Sequence, residues 1–132
     1  MGQAEAQKFL KMAQEHLERV QVASWDEPPD LPDLTIFGFY CVEAAVMAAV
    51  EHLGWQLKKT HPGKVDAAGT LARDHGLPDV SALLVMLNHA RKATAYGDIE
   101  LPPLDAEDLA RDIERYVEAV AGLIANKGKG SK

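Results

Sequence analysis

Between Ile36 and Val50 the chain carries an almost unbroken apolar run, Ile-Phe-Gly-Phe-Tyr-Cys-Val-Glu-Ala-Ala-Val-Met-Ala-Ala-Val, with Glu43 as its only charge. Its spacing predicts a helix over about 34–55 that is apolar around most of its circumference. Such a helix needs neighbours on nearly every side, so it is the central member of a bundle or has a face in a subunit interface. Interrupted by Glu43, the run is too short to cross a bilayer, which argues against a membrane role.

The rest of the chain supplies the neighbours. Phe9, Leu10, Ala13, Leu17 and Val20 recur at helical spacing over about 3–23, opposite Lys11, Glu15, Glu18 and Arg19. A Pro/Asp-rich turn follows, with Asp33 as the expected N-cap of the apolar helix and Gly54 loosening its end. Thr60-His-Pro-Gly63 reads as a break, and a shorter helix over about 64–75 turns Val65, Ala68, Leu71 and Ala72 inward before stopping at Gly76. A fourth helix, about 80–96, is capped by Asp79 or Ser81. Its apolar face is Val80, Leu83, Leu84, Leu87, Ala90 and Thr94. Ile99–Leu104 is expected to be extended around its two prolines. Asp105 caps a closing helix over about 106–125, with a stripe of Leu109, Ile113, Tyr116, Val117, Val120 and Ile124. No alternating strand pattern and no repeat interrupts this series. The expectation is an all-α, antiparallel four- to five-helix bundle over 3–125, followed by a flexible basic tail at 126–132.

Charge and cysteine content exclude several classes of function. Fourteen basic against 20 acidic side chains leave a net charge of −6, which argues against a general nucleic-acid coat but not against a local basic pocket. One cysteine, Cys41, permits neither an internal disulfide nor a cysteine-built zinc site. With no signal peptide visible, the expected location is the cytoplasm. The histidines at 16, 52, 61, 75 and 89 form no His-x-x-x-His pair, and Glu15-His16 and Glu51-His52 point about 100° apart on a helix. No metal and no cofactor is therefore expected. There is no nucleophile elbow and no phosphate loop.

One residue breaks the apolar pattern. Arg91 falls about 40° from the centre of the fourth helix's apolar stripe. A guanidinium keeps its charge, so it must reach water, an acid, a phosphate or a partner surface. His89, Lys92 and Tyr96 share a neighbouring face with Val85, and Asn88 lies between that face and Arg91. Arg91, Asn88, Tyr96, His89 and Lys92 together could hold a phosphate or a base: a ring for stacking, several donors, and an imidazole titrating near neutrality. The alternative is that Arg91 pairs with an acid, Glu43 or Asp98, while His89 and Lys92 face solvent.

The arrangement resembles the HEPN family (higher eukaryotes and prokaryotes nucleotide-binding domain). The likeness rests on Ala6-Gln-Lys-Phe-Leu-Lys-Met-Ala, on the apolar Tyr40–Val50 segment, and on Lys59-Thr60-His61. It continues through Leu87-Asn88-His89-Ala90-Arg91 with Tyr96-Gly97-Asp98, and covers about 3–125. The resemblance implies a helical bundle, a homodimer, and binding of a nucleotide, RNA or a nucleotidyltransferase-type partner protein. Many members are metal-independent ribonucleases with an Arg followed after four to six residues by His. Here Tyr96, Gly97 and Asp98 occupy those positions, so no evident general base exists for attack by a ribose 2′-hydroxyl. Binding is thus expected rather than cleavage. A ribonuclease toxin using His89 is one alternative, although His89 and Arg91 diverge by about 160° on one helix. A purely structural or antitoxin-type bundle is the other.

Overall fold

The computed structural model describes residues 2–96 and 105–125, with the side chains of 94–96 left aside. Five helices fill the described residues: α1 (Gly2–Trp25), α2 (Leu31–Leu53), α3 (His61–His75), α4 (Ser81–Tyr96) and α5 (Ala106–Ala125). The molecule is an all-α helical bundle. The expected extended segment at 99–104, Asp98 and the basic tail lie outside the described residues.

The hub is α2, the helix singled out by its apolarity, and it packs against all four others. Thirteen of its residues are buried, from Leu34 to Val50. By length and composition it could cross a membrane, contrary to the expectation from Ile36–Val50 alone, because the helix extends past that run at both ends. However, 72% of its apolar window is covered by the other helices. The covering follows from sequence: α1 and α5 each present one apolar stripe and a charged opposite face. Every expected stripe residue of α5 is buried, and α1 buries Leu10, Ala13 and Val20 together with Ala6 and Ala23.

Pairing contacts fix the sense of the first hairpin. The Gln3 amide meets His52 Nδ1 at 2.8 Å, the Cys41 thiol donates to the Ala13 carbonyl at 3.2 Å, and the Asp30 amide donates to the Ala23 carbonyl at 3.0 Å. α1 and α2 are therefore antiparallel. Gly38 lets the layers close: a Cβ there would sit 3.0 Å from Ile113 Cδ1 on α5 and 3.6 Å from Leu87 Cδ2 on α4. Burial pushes the Cys41 thiol up to about 12 and raises the Tyr116 phenol above its ordinary value, with the charge of Asp79 a further cause for Tyr116.

Three helix ends differ from expectation. The α2 cap is Asp30, whose carboxylate accepts from the Asp33 amide at 3.1 Å. Pro32 then sits in the first turn, where its missing N–H would have had no helical partner. α3 starts at His61 rather than after Gly63. Thr60 Oγ1 accepts from the Gly63 amide at 3.2 Å, so Pro62 begins the helix instead of breaking it. Gly54 is a firm C-cap in the left-handed region at φ 72°, donating to the Glu51 and Val50 carbonyls. The Gly76 stop and the Asp105 cap are as expected, and the Asp79 carboxylate accepts from the Ser81 amide and hydroxyl.

Candidate functional site

α3 and α4 run side by side, and a groove of about 400 Å³ opens between them. α4 lines it with Val85, Asn88, His89 and Lys92, which fall on one face at spacings of one, three and four. α3 supplies His61, Pro62, Val65 and Asp66. Three of the five residues singled out by sequence thus share one concave surface. For Tyr96 only the helical backbone is described, so its place relative to the groove lies outside the described residues.

Arg91 is turned away from this lining. Its guanidinium carbon lies 4.6 Å from the centre of the Phe39 ring on α2, a cation–π geometry. Its Nη2 donates to Asn88 Oδ1 at 2.8 Å, one turn back on α4. Its Nε is buried with no hydrogen-bond partner. The charge is therefore held by a ring and an amide rather than by Glu43, which is bonded to Lys64 of α3 at 3.2 Å. Phe39 and Glu43 are four residues apart on one face of α2. Arg91 meets the expected helix, one turn earlier than expected.

Sequence alone does not place His61 at the groove, because Thr60-His-Pro-Gly63 reads as a break. His61 lies at the first turn of α3, and its ring also leans on Phe39, with centroids 6.0 Å apart. Its Nδ1 is buried and has no hydrogen-bond partner. A helix starting through Thr-x-Pro-Gly is the sequence signal that places this imidazole at the groove.

The groove is rich in donors: the Asn88 amide, the His61 and His89 rings and the Lys92 ammonium. Among the described residues Asp66 is its one carboxylate. Such a lining suits a ligand dense in acceptor oxygens that also offers a hydroxyl or amine. Among the described residues no group of three or more His, Cys, Asp or Glu side chains is placed to hold a metal. A larger depression of about 850 Å³ lies beyond Pro62 and Asp66, walled by Trp55, Leu57, Lys58 and Thr70. Asn88, His89, Arg91 and Lys92 do not line it.

No protein-family model, curated protein or solved structure matches the chain.

Proposed function

We propose that the chain is a HEPN-like binding module whose α3–α4 groove takes the phosphate end of a nucleotide, free or within RNA. The observation that carries this reading is the convergence of Asn88, His89 and Lys92 with His61, from two helices, on one cavity. A phosphate offers acceptors to all four, and Lys92 matches its charge. Asp66 accepts from a ribose hydroxyl or a base amine. Val85, half exposed on the same face, gives the ligand's apolar surface something to cover. Arg91 is diverted to Phe39 and Asn88 and so stands apart from His89, which speaks for binding over cleavage. Homodimerisation, and a nucleotidyltransferase-type partner protein, belong to the same proposal. Sedimentation velocity tests the former.

Calorimetric titration with ATP and with a short single-stranded RNA tests the reading. Lys92→Ala and His89→Ala should each weaken binding by about tenfold, the scale of one charge-assisted hydrogen bond. Lys8→Ala, on the exposed face of α1, should leave it unchanged. Equal affinity in all variants, or no binding by the parent chain, overturns the groove as a nucleotide site. RNA cleavage that disappears in His89→Ala replaces binding with the ribonuclease reading.

A further inference from the structure

Arg91 is the residue a sequence reader would place against the ligand, yet its contacts point elsewhere. We infer that Arg91 is a positioning residue: it locks the Asn88 side chain so that its amide nitrogen, and not its oxygen, faces the groove. The statement rests on the binding reading above only for its consequence; the locking itself is a property of the chain alone.

A guanidinium has donors and no acceptor, so the Asn88 atom 2.8 Å from Nη2 must be the carbonyl oxygen. With that oxygen committed to Arg91, the remaining Asn88 atom, Nδ2, carries two N–H groups. Asn88 borders the groove, so these are what it can offer there. Left to itself, an asparagine presents either end and selects poorly between donors and acceptors. The arginine removes the choice.

Arg91 is itself held. Phe39 is 4% exposed and its ring lies under the guanidinium at 4.6 Å, with His61 leaning on the same ring. Arg91 Nε is buried and unpartnered. One buried ring on α2 thus backs two groove residues, His61 directly and Asn88 through Arg91. The selected ligand chemistry is an acceptor-rich group, as in a phosphate, and a ligand presenting an ammonium at this point is excluded.

The test has a ligand-free arm and a ligand arm. Nitrogen-15 relaxation of the Asn88 side-chain amide should show an ordered group in the parent chain and a mobile one in Arg91→Met, which keeps an unbranched apolar stem over Phe39. Arg91→Lys, a second variant should Arg91→Met fail to fold, retains a donor and should restore part of the order. An Asn88 amide as ordered without Arg91 as with it overturns the inference, whatever the ligand. In the second arm, Asn88→Asp gives Arg91 a charged acceptor and removes both groove-facing N–H groups. Its melting temperature should hold or rise, while affinity for ATP should fall by about tenfold or more. Undiminished ATP affinity in Asn88→Asp also overturns it. If the parent chain binds no ATP, the nucleotide reading fails by itself and the relaxation arm still decides the role of Arg91.

Discussion

The two flanks of α2 are built to different rules. Toward α5 the buried contacts are apolar. Toward α1 an apolar centre, where the Cys41 thiol donates to a carbonyl, is edged by Gln3 on His52, Arg19 over Phe37 and His16 beside Phe37 and Tyr40. Toward α3 and α4 the same helix meets polar groups, with Phe39 under Arg91 and beside His61, and Glu43 bonded to Lys64. Among the described residues α3 meets only α2 and α4. The difference teaches where a bundle can afford chemistry. Donors can be kept, and a groove left open, only where a short helix is not needed to cover the hub.

If the apolar contacts toward α5 carry the fold, truncation there should cost most. Ile113 is fully buried and touches the space above Gly38. Ile113→Ala should destabilise the chain by about 2–5 kcal/mol in urea unfolding, the range for a large aliphatic removed from a packed core. Val65→Ala, on the partly buried groove side of α3, should cost well under half of that. Equal costs would break the comparison.

The polar flank has one point with no slack. A Cβ on Gly63 would run into the Lys58 carbonyl oxygen, a backbone atom that cannot rotate away. Gly63→Ala must move the 54–60 connection or the first turn of α3, at about 1–3 kcal/mol. His61 and Pro62 sit in that turn, so chemical-shift changes should concentrate on His61, Asn88 and His89 rather than on α1 or α5.

A smaller effect separates the flanks by pH. Cys41 rises from its ordinary 9.0 to about 12 in the folded chain. The unfolded thiol ionises first, so this contribution to stability is whole below pH 9 and is lost as pH climbs toward 12. The slope is about 1.4 kcal/mol per pH unit. Unfolding free energy at pH 10 should therefore lie about 1.4 kcal/mol below its pH 8 value, and Cys41→Ala should abolish most of that drop. Tyr116, raised by burial and by Asp79, adds a loss only above pH 10, which Tyr116→Phe removes. Thiol reagents at pH 8 should label Cys41 only as fast as the chain unfolds.

Much of this contrast was legible in the sequence, and unevenly so. The α5 stripe could be read residue by residue because its charged face leaves no ambiguity about which side is buried. α2 reads as a hub because Glu43 is the only charge in its apolar run. What periodicity could not supply was the first turn of α3: a proline and a glycine after threonine mark a break and a helix start equally well. That misreading hid His61 from the groove. The wheel of the fourth helix put His89 and Lys92 on the face of Val85, with Asn88 between that face and Arg91, and in the structure Val85, Asn88, His89 and Lys92 line the same groove. It could not say that Arg91 would reach a ring instead of a carboxylate, because the choice between Phe39 and Glu43 depends on how far α4 slides along α2, which no single helix encodes.

That slide also sets the smallest expected effect, a pairwise coupling. Were Glu43 the partner of Arg91, removing both would cost less than the sum of the separate losses. The geometry assigns Glu43 to Lys64 at 3.2 Å, with both side chains about one-fifth exposed, so the coupling belongs to that pair. A double-mutant cycle of Glu43→Gln with Lys64→Met should give about 0.5–1 kcal/mol, larger than a fully solvated pair because water is partly excluded. The cycle of Glu43→Gln with Arg91→Met should give a coupling within about 0.3 kcal/mol of zero, as for residues sharing no partner. The first coupling should shrink in 1 M salt far less than an exposed pair would. Coupling found between Glu43 and Arg91 instead would shift α4 by a turn along α2. It would also return Arg91 to an ordinary buried ion pair, erase the distinction between the two flanks at its most polar point, and leave Asn88 free to turn either end toward the groove.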